Sequence, residues 1–239
     1  MNVLDLFSGI GGFSLGLEKA GMKTVAFCEV DKFCQKILSK HWPNVLIYED
    51  IKNLTAKQLE KDKILVDVVC GGFPCQDLSI AGKGEGLKGE RSGLWREYAR
   101  LISEIRPRYV IVENVAALLF RGLSDVLGDL ASLGYDAEWH CIPASYIGAP
   151  HRRDRVWIVA YANNKSQSIG PINDEAFWVQ KIVSISKWPE WFGKPEDVRM
   201  DDGIPNGMDR VKSLGNAVVP QIPEILGKAI MDHALRNAP

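Results

Sequence analysis

The sequence predicts an α/β fold built around a mainly parallel sheet. Short β-rich runs alternate with helical patterns along most of the chain, at a spacing that suggests repeated βα units. One run, Ile64 to Cys70, is almost continuously apolar, as befits a central strand covered on both faces. The first strand closes on a glycine-rich turn that opens a helix, the junction such sheets use at their ligand edge.

Taken in order, strands are expected over Asn2 to Leu6, Thr24 to Cys28, Val45 to Ile47, Ile64 to Cys70, Tyr109 to Glu113, Asp136 to Cys141 and Arg155 to Tyr161. Helices are expected over Gly12 to Ala20, Asp31 to Lys40, Leu94 to Ile105, Leu123 to Leu133 and Ile222 to Leu235. The alternation breaks after Ala162, where Asn, Ser, Pro, Gly and Trp dominate and no period governs the chain. The organisation follows: a main domain over 1–161, a small irregular lobe over 162–211, and a closing segment over 212–239 that returns to the main domain. Trp178, Trp188 and Trp191 are expected to form the lobe's own core.

With 239 residues the chain can bury a sizeable core, and it fits one domain with a subdomain. Five cysteines without paired spacing argue for a reducing compartment, and against a disulfide framework or a metal cluster. The chain starts directly in a strand and holds no apolar run of membrane-spanning length, so a soluble cytoplasmic protein is expected, without membrane contact. A formal net charge of −1 excludes a globally basic nucleic-acid binder; any such affinity needs a local surface.

The chemistry-bearing residues cluster at predicted strand ends. Phe73-Pro74-Cys75-Gln76 follows the diglycine Gly71-Gly72 and presents a thiol on the loop leaving the central strand. Proline fixes its own φ and biases Phe73 toward an extended backbone, which aims Cys75; a lone cysteine could equally be a small core residue. Asp5-Leu6-Phe7-Ser8-Gly9-Ile10-Gly11-Gly12 lets a ligand approach backbone amides at a helix start, although such turns also serve tight strand-to-helix packing. Glu29, about twenty residues on, can accept from ribose hydroxyls. Asp50, after the third strand, can accept from the exocyclic amine of a base.

These segments resemble the carbon-5 class of DNA cytosine methyltransferases. The matching stretches are Asp5 to Gly12, Glu29, Asp50-Ile51, Gly72 to Ser79, Gly86 to Leu94, Glu113-Asn114-Val115, Arg153 to Arg155 and Leu214 to Pro220, all in the family's order. The resemblance implies a Rossmann-like, S-adenosylmethionine-dependent methyltransferase fold with a mixed sheet, and a target-recognition lobe between the last two motifs. It implies S-adenosyl-L-methionine as cofactor, held by Asp5, Phe7, Ser8, Gly9, Gly11 and Gly12 of the first turn. Glu29, Val30, Asp50, Ile51, Pro74 and Leu94 would line the rest, closed by Asn216 and Ala217.

Carbon 5 of cytosine is a poor nucleophile until something adds to carbon 6. A thiolate can add there and leave afterwards, and the resemblance gives that role to Cys75. It gives Glu113 the contact to ring nitrogen 3 and the amino group, Arg155 the contact to the carbonyl oxygen, and Arg153 a contact to the phosphate backbone or the catalytic loop. Two arginines two apart share one side if the segment is already extended. Where the family usually has glutamine this chain has His151, whose role stays open. The glycine-dense stretch Ser79 to Gly93 resembles the family's loop that closes over DNA.

The resemblance implies a monomer acting on double-stranded DNA by base flipping, in a bacterial cell or phage-infected host, with a cognate restriction endonuclease as possible partner. Some fifty residues of recognition lobe predict a short target site. The same pattern is open to a tRNA-directed enzyme of the same fold or a catalytically inactive DNA-binding relative. A nicotinamide oxidoreductase would share the glycine turn and Glu29 but would not need the remaining motifs.

Overall fold

The computed structural model describes residues 1–74, 93–149, 152–163 and 217–236. Seven strands form one sheet: β1 (Asn2–Leu6), β2 (Lys23–Cys28), β3 (Leu46–Tyr48), β4 (Val68–Gly71), β5 (Tyr109–Val115), β6 (Tyr135–Pro143) and β7 (Asp154–Ala162). Their order is β3-β2-β1-β4-β5-β7-β6. The first five strands are mutually parallel, while β7 runs antiparallel to both its neighbours. The mixed, mainly parallel Rossmann-like α/β sheet expected from the sequence is the one observed.

The helices are α1 (Gly12–Lys19), α2 (Lys32–His41), α3 (Ala56–Lys61), α4 (Gly93–Ile105), α5 (Leu118–Arg121), α6 (Leu123–Ser132) and α7 (Gln221–Arg236). Because successive strand residues face opposite sides, β1 divides its core in two. Leu4 and Leu6 join Val69, Val112, Trp95 and Leu101 on one face, whereas Val3 joins Val68, Ile111, Phe13 and Ile225 on the other. Helix α4 covers the first face through Trp95, Tyr98, Leu101 and Ile102, a stripe at helical spacing.

Helices α1 and α7 cover the second face, and glycines set how closely the C-terminal segment approaches. A Cβ on Gly12 would lie 2.5 Å from the Val218 carbonyl oxygen, and one on Gly16 would lie 2.2 Å from that of Pro220. The chain after residue 216 therefore lies directly on the helix that opens from the first strand. No helix among the described residues is long and apolar enough to cross a membrane.

Two local readings change. The apolar run read as a strand from Ile64 pairs only from Val68: Lys63 turns through a left-handed φ of 57°, and Leu65 is 78% exposed before the chain meets the sheet. The pattern Ile-Leu-Val is therefore a connector whose Ile64 and Val66 pack partly buried against the core, and sheet pairing starts after it. Two short helices were not expected. Helix α3 is capped by Thr55, whose hydroxyl accepts from Gln58 N at 3.2 Å, and α5 forms the turn directly after β5. The lobe expected over 162–211 lies outside the described residues except for Ala162, which ends β7, and Asn163.

Candidate active site

The strand order reverses between β1 and β4, so the crevice at their carboxyl ends is the topological switch point where such sheets bind ligands. Three groups of residues meet along this edge: the turn after β1 with the end of β2, the loop leaving β4, and the end of β5 with the start of β7.

The first turn is held by carboxylates. Phe7 has a left-handed φ of 54°, costly for a residue with a side chain and kept only where its surroundings impose it. Ser8 Oγ donates to the Asp5 carbonyl at 2.6 Å, and Gly9 N donates to Glu29 Oε2 at 2.7 Å. The other oxygen of Glu29 accepts from Asp31 N at 2.8 Å, so this buried carboxylate is oriented by two backbone amides and keeps lone pairs for a further donor. A Cβ added at Gly9 would meet nothing within 4 Å, which leaves open space over the turn. Next to Glu29, Val30 is 72% exposed. Gly11 takes a φ of 86° with Trp42 against it, a position that excludes side chains.

Asp5 is wholly buried, with Oδ2 accepting from Ser14 N at 3.3 Å and from Ser14 Oγ at 2.7 Å. It thus anchors the start of α1, whose N-cap Gly11 offers no side chain. Burial lifts its carboxyl to about 7, with the Ser14 bonds opposing and the Glu29 charge adding. Because the folded value lies above the unfolded one of 3.8, this group's contribution is fully present below about pH 4 and is lost as pH rises toward 7. Urea unfolding of Asp5→Asn and wild type from pH 4 to 8 should show the variant gaining on wild type by a few kcal/mol up to about pH 7. Parallel stability curves would contradict this account.

Cys75 lies outside the described residues, but the chain leading to it is fixed. Asn114 Nδ2 donates to the Phe73 carbonyl at 3.1 Å, and its Oδ1 accepts from Val115 N at 2.9 Å. The carbonyl two residues before the thiol is thereby tied to the end of β5. Phe73 is buried against Trp95, with ring centroids 5.4 Å apart, and Pro74 is exposed.

The antiparallel direction of β7 brings its first residues to this same edge, with Arg155 opposite Val115. Arg155 Nε stands 2.9 Å from Glu113 Oε1, and the Glu113 side chain is only 12% exposed. Burial raises the Glu113 carboxyl above the ordinary carboxylate range, while Arg155 and then Arg153 pull it down. Arg153 departs from the expectation that both arginines share an extended segment. Its φ is 39° and it precedes β7, so its side chain diverges and Nη2 donates to the Ala217 carbonyl at 2.9 Å. Among the described residues it binds the C-terminal segment; the catalytic loop it was expected to contact lies outside them.

Of the remaining expected residues, Asp50 is half-buried, with Oδ1 accepting from Lys52 N at 2.9 Å, and Ile51 is buried. Leu94 packs partly buried at the start of α4. Asn216 and His151 lie outside the described residues.

Sequence reasoning missed an aromatic relay on α4. Phe7 meets Tyr98 at 6.2 Å, Tyr98 meets Trp95 at 5.6 Å, and Trp95 meets Phe73. Tyr98 OH donates to the Ile111 carbonyl at 3.0 Å and Trp95 Nε1 to Asp129 Oδ2 at 2.8 Å, so both rings are locked. The 95–98–101–102 stripe was the available signal, though it marks a buried face without saying which sites that face connects.

Comparison with known proteins agrees with this geometry. The family description "C-5 cytosine-specific DNA methylase" matches residues 1–199. The chain is 40% identical over 168 residues to Type II methyltransferase M2.BsuMI of Bacillus subtilis, covering 67% of this chain and 42% of that one. It is 35% identical over 220 residues to Type II methyltransferase M.CviJI of Paramecium bursaria Chlorella virus IL3A, covering 91% and 56% respectively. Among solved structures, a putative DNA modification methyltransferase encoded within an E. coli prophage superposes with a TM-score of 0.62 at 29% identity, covering 74% of this chain and 50% of that one. The DNMT2 structure of Spodoptera frugiperda, at 20% identity and a TM-score of 0.58 over 70% of this chain and 51% of that one, shares the fold. The chain belongs to the C-5 cytosine-specific DNA methylase family. It spans about half the length of the curated relatives it matches.

Proposed function

We propose that the chain is the methyl-transfer unit of a DNA cytosine-5 methyltransferase. It uses S-adenosyl-L-methionine to methylate carbon 5 of a cytosine rotated out of double-stranded DNA, through a transient bond from the Cys75 sulfur to carbon 6. The observation that carries this reading is one edge of the sheet. The Glu113–Arg155 pair and the Asn114-fixed approach to Cys75 stand across the switch point from the Glu29-held glycine turn.

The residues fit the cofactor. Glu29 has its carboxylate pre-oriented with acceptor capacity left for ribose hydroxyls, Val30 offers an exposed apolar surface to a ring, and the space over Gly9 is open. Phe7 and Ile51 would flank the adenine, and Asp50 would accept from its amine. When bound, S-adenosylmethionine supplies an electrophilic methyl group. Glu29→Ala removes a charged acceptor and also frees two backbone amides, so calorimetry should find cofactor binding weakened by roughly 1–3 kcal/mol. Unchanged affinity would remove Glu29 from the site.

On the target side, burial keeps the Glu113 carboxyl ready to hold a proton, which suits donation to ring nitrogen 3 as carbon 6 is attacked. Arg155, fixed by Glu113, can turn its remaining donors to the cytosine carbonyl oxygen. A base inside a duplex hides carbon 6 from any thiol, so the cytosine must leave the stack at a cost of a few kcal/mol, which these contacts offset. A cognate restriction endonuclease would be the partner in a restriction-modification pair. Bisulfite sequencing of DNA and RNA from cells expressing the chain tests the reading: methylated DNA cytosines in a fixed context support it, methylation confined to RNA transfers the chemistry to that polymer, and none in either refutes it.

A further inference from the structure

Arg100 on α4 commits every nitrogen of its guanidinium. Nε donates to Glu97 Oε2 at 2.7 Å and Nη1 to Glu104 Oε1 at 2.6 Å, while Nη2 donates to the carbonyls of Ile51 and Leu54, both at 2.9 Å. Glu104 closes the arrangement, because its Oε2 accepts from Ala56 N at 3.0 Å. The turn after β3 is thus fastened to one helix at three backbone atoms.

Simple anchoring does not require this. Ile51 and Leu54 already bury their side chains, at 4% and 1% exposure, which holds the turn down. The ion pairs, with Arg100 31% exposed, contribute little by themselves. What the guanidinium adds is orientation of the peptides that follow Asp50. A planar fork reaches two carbonyls and two carboxylates at once, which the point charge of a lysine cannot do.

We propose that Arg100 is a positioning residue for adenine recognition: by clamping the Ile51 and Leu54 carbonyls to α4, it fixes the turn that aims the Asp50 carboxylate at the exocyclic amine of the cofactor. The inference rests on the cofactor reading above. It gives α4 a second function, since the helix that carries Leu94 and the aromatic relay also sets the opposite wall of the adenine site.

Isothermal titration of wild type and Arg100→Lys with S-adenosylhomocysteine and with S-inosylhomocysteine, whose ring carries an oxygen in place of the amine, tests this. Wild type should prefer the adenine ligand by roughly tenfold, the scale of one well-made hydrogen bond. In Arg100→Lys the adenine ligand should weaken about tenfold and the hypoxanthine ligand about twofold or less, so that the preference collapses. Equal weakening of both ligands, or of neither, overturns the proposal and leaves Arg100 a brace for the fold. Wild type that binds neither ligand overturns the cofactor reading and this inference with it. A melting curve showing that Arg100→Lys is unfolded moves the same comparison to Glu104→Leu, where a lost preference supports the clamp and a retained one overturns it.

Discussion

Cys75→Ala is expected to abolish methyl transfer, by roughly 10⁴-fold or more, while leaving S-adenosylmethionine binding nearly unchanged. The asymmetry follows from how the edge is divided. The groups proposed to hold the cofactor sit mainly after β1, β2 and β3, whereas the thiol follows β4 and the approach to it is fixed by Asn114 of β5. An unperturbed thiol ionises near ~8.5, so the reactive form must be favoured by positive charge or by arrival of the base. Arg153 and Arg155 stand at this end of the sheet, and both bear on the buried Glu113. DNA carrying 5-fluorocytosine should trap wild type covalently, because fluorine on carbon 5 blocks the elimination that releases the sulfur. Trapping that persists in Cys75→Ala would move the nucleophile elsewhere.

Much of this edge is legible in the sequence because its parts are local. A glycine turn, a carboxylate at a strand end and a proline before a thiol each announce themselves within a few residues, and βα alternation implies that successive strand ends face one crevice. What was not legible depends on tertiary partners. The run from Ile64 reads as strand by composition, yet only residues from Val68 find a neighbour to pair with. Arg153 and Arg155 look equivalent by spacing, but a left-handed φ at Arg153 sends one to a backbone carbonyl and leaves the other on a buried carboxylate. Arg100 has no motif at all. Its partners lie 46 and 49 residues away in sequence and are main-chain oxygens, which no residue pattern records.

Gly72→Ala is expected to keep the fold and cofactor affinity while reducing turnover about 100-fold. In the sequence Gly72 is half of a diglycine that opens the matching stretch before Cys75, and the structure places it against Glu113. A Cβ there would lie 2.7 Å from Glu113 Oε2. The three nearest atoms all belong to Glu113, its main-chain oxygen standing at an ordinary 3.5 Å, and Gly72 is outside the left-handed φ region, so alanine strains no backbone. The atom that must yield is the end of a flexible side chain, which makes the substitution cheap for stability and costly for chemistry. The displaced carboxylate loses its alignment with Arg155 Nε, now 2.9 Å from Oε1, and both groups are proposed to grip the extruded cytosine. A misplacement of about 1 Å in a reacting constellation costs on the order of 10² in rate. Steady-state kinetics should place the loss in kcat and in kcat/KM for DNA, with the calorimetric affinity for S-adenosylhomocysteine and the thermal melt close to wild type. Normal turnover by a folded Gly72→Ala would show that the Glu113 position seen here is not the one used in catalysis.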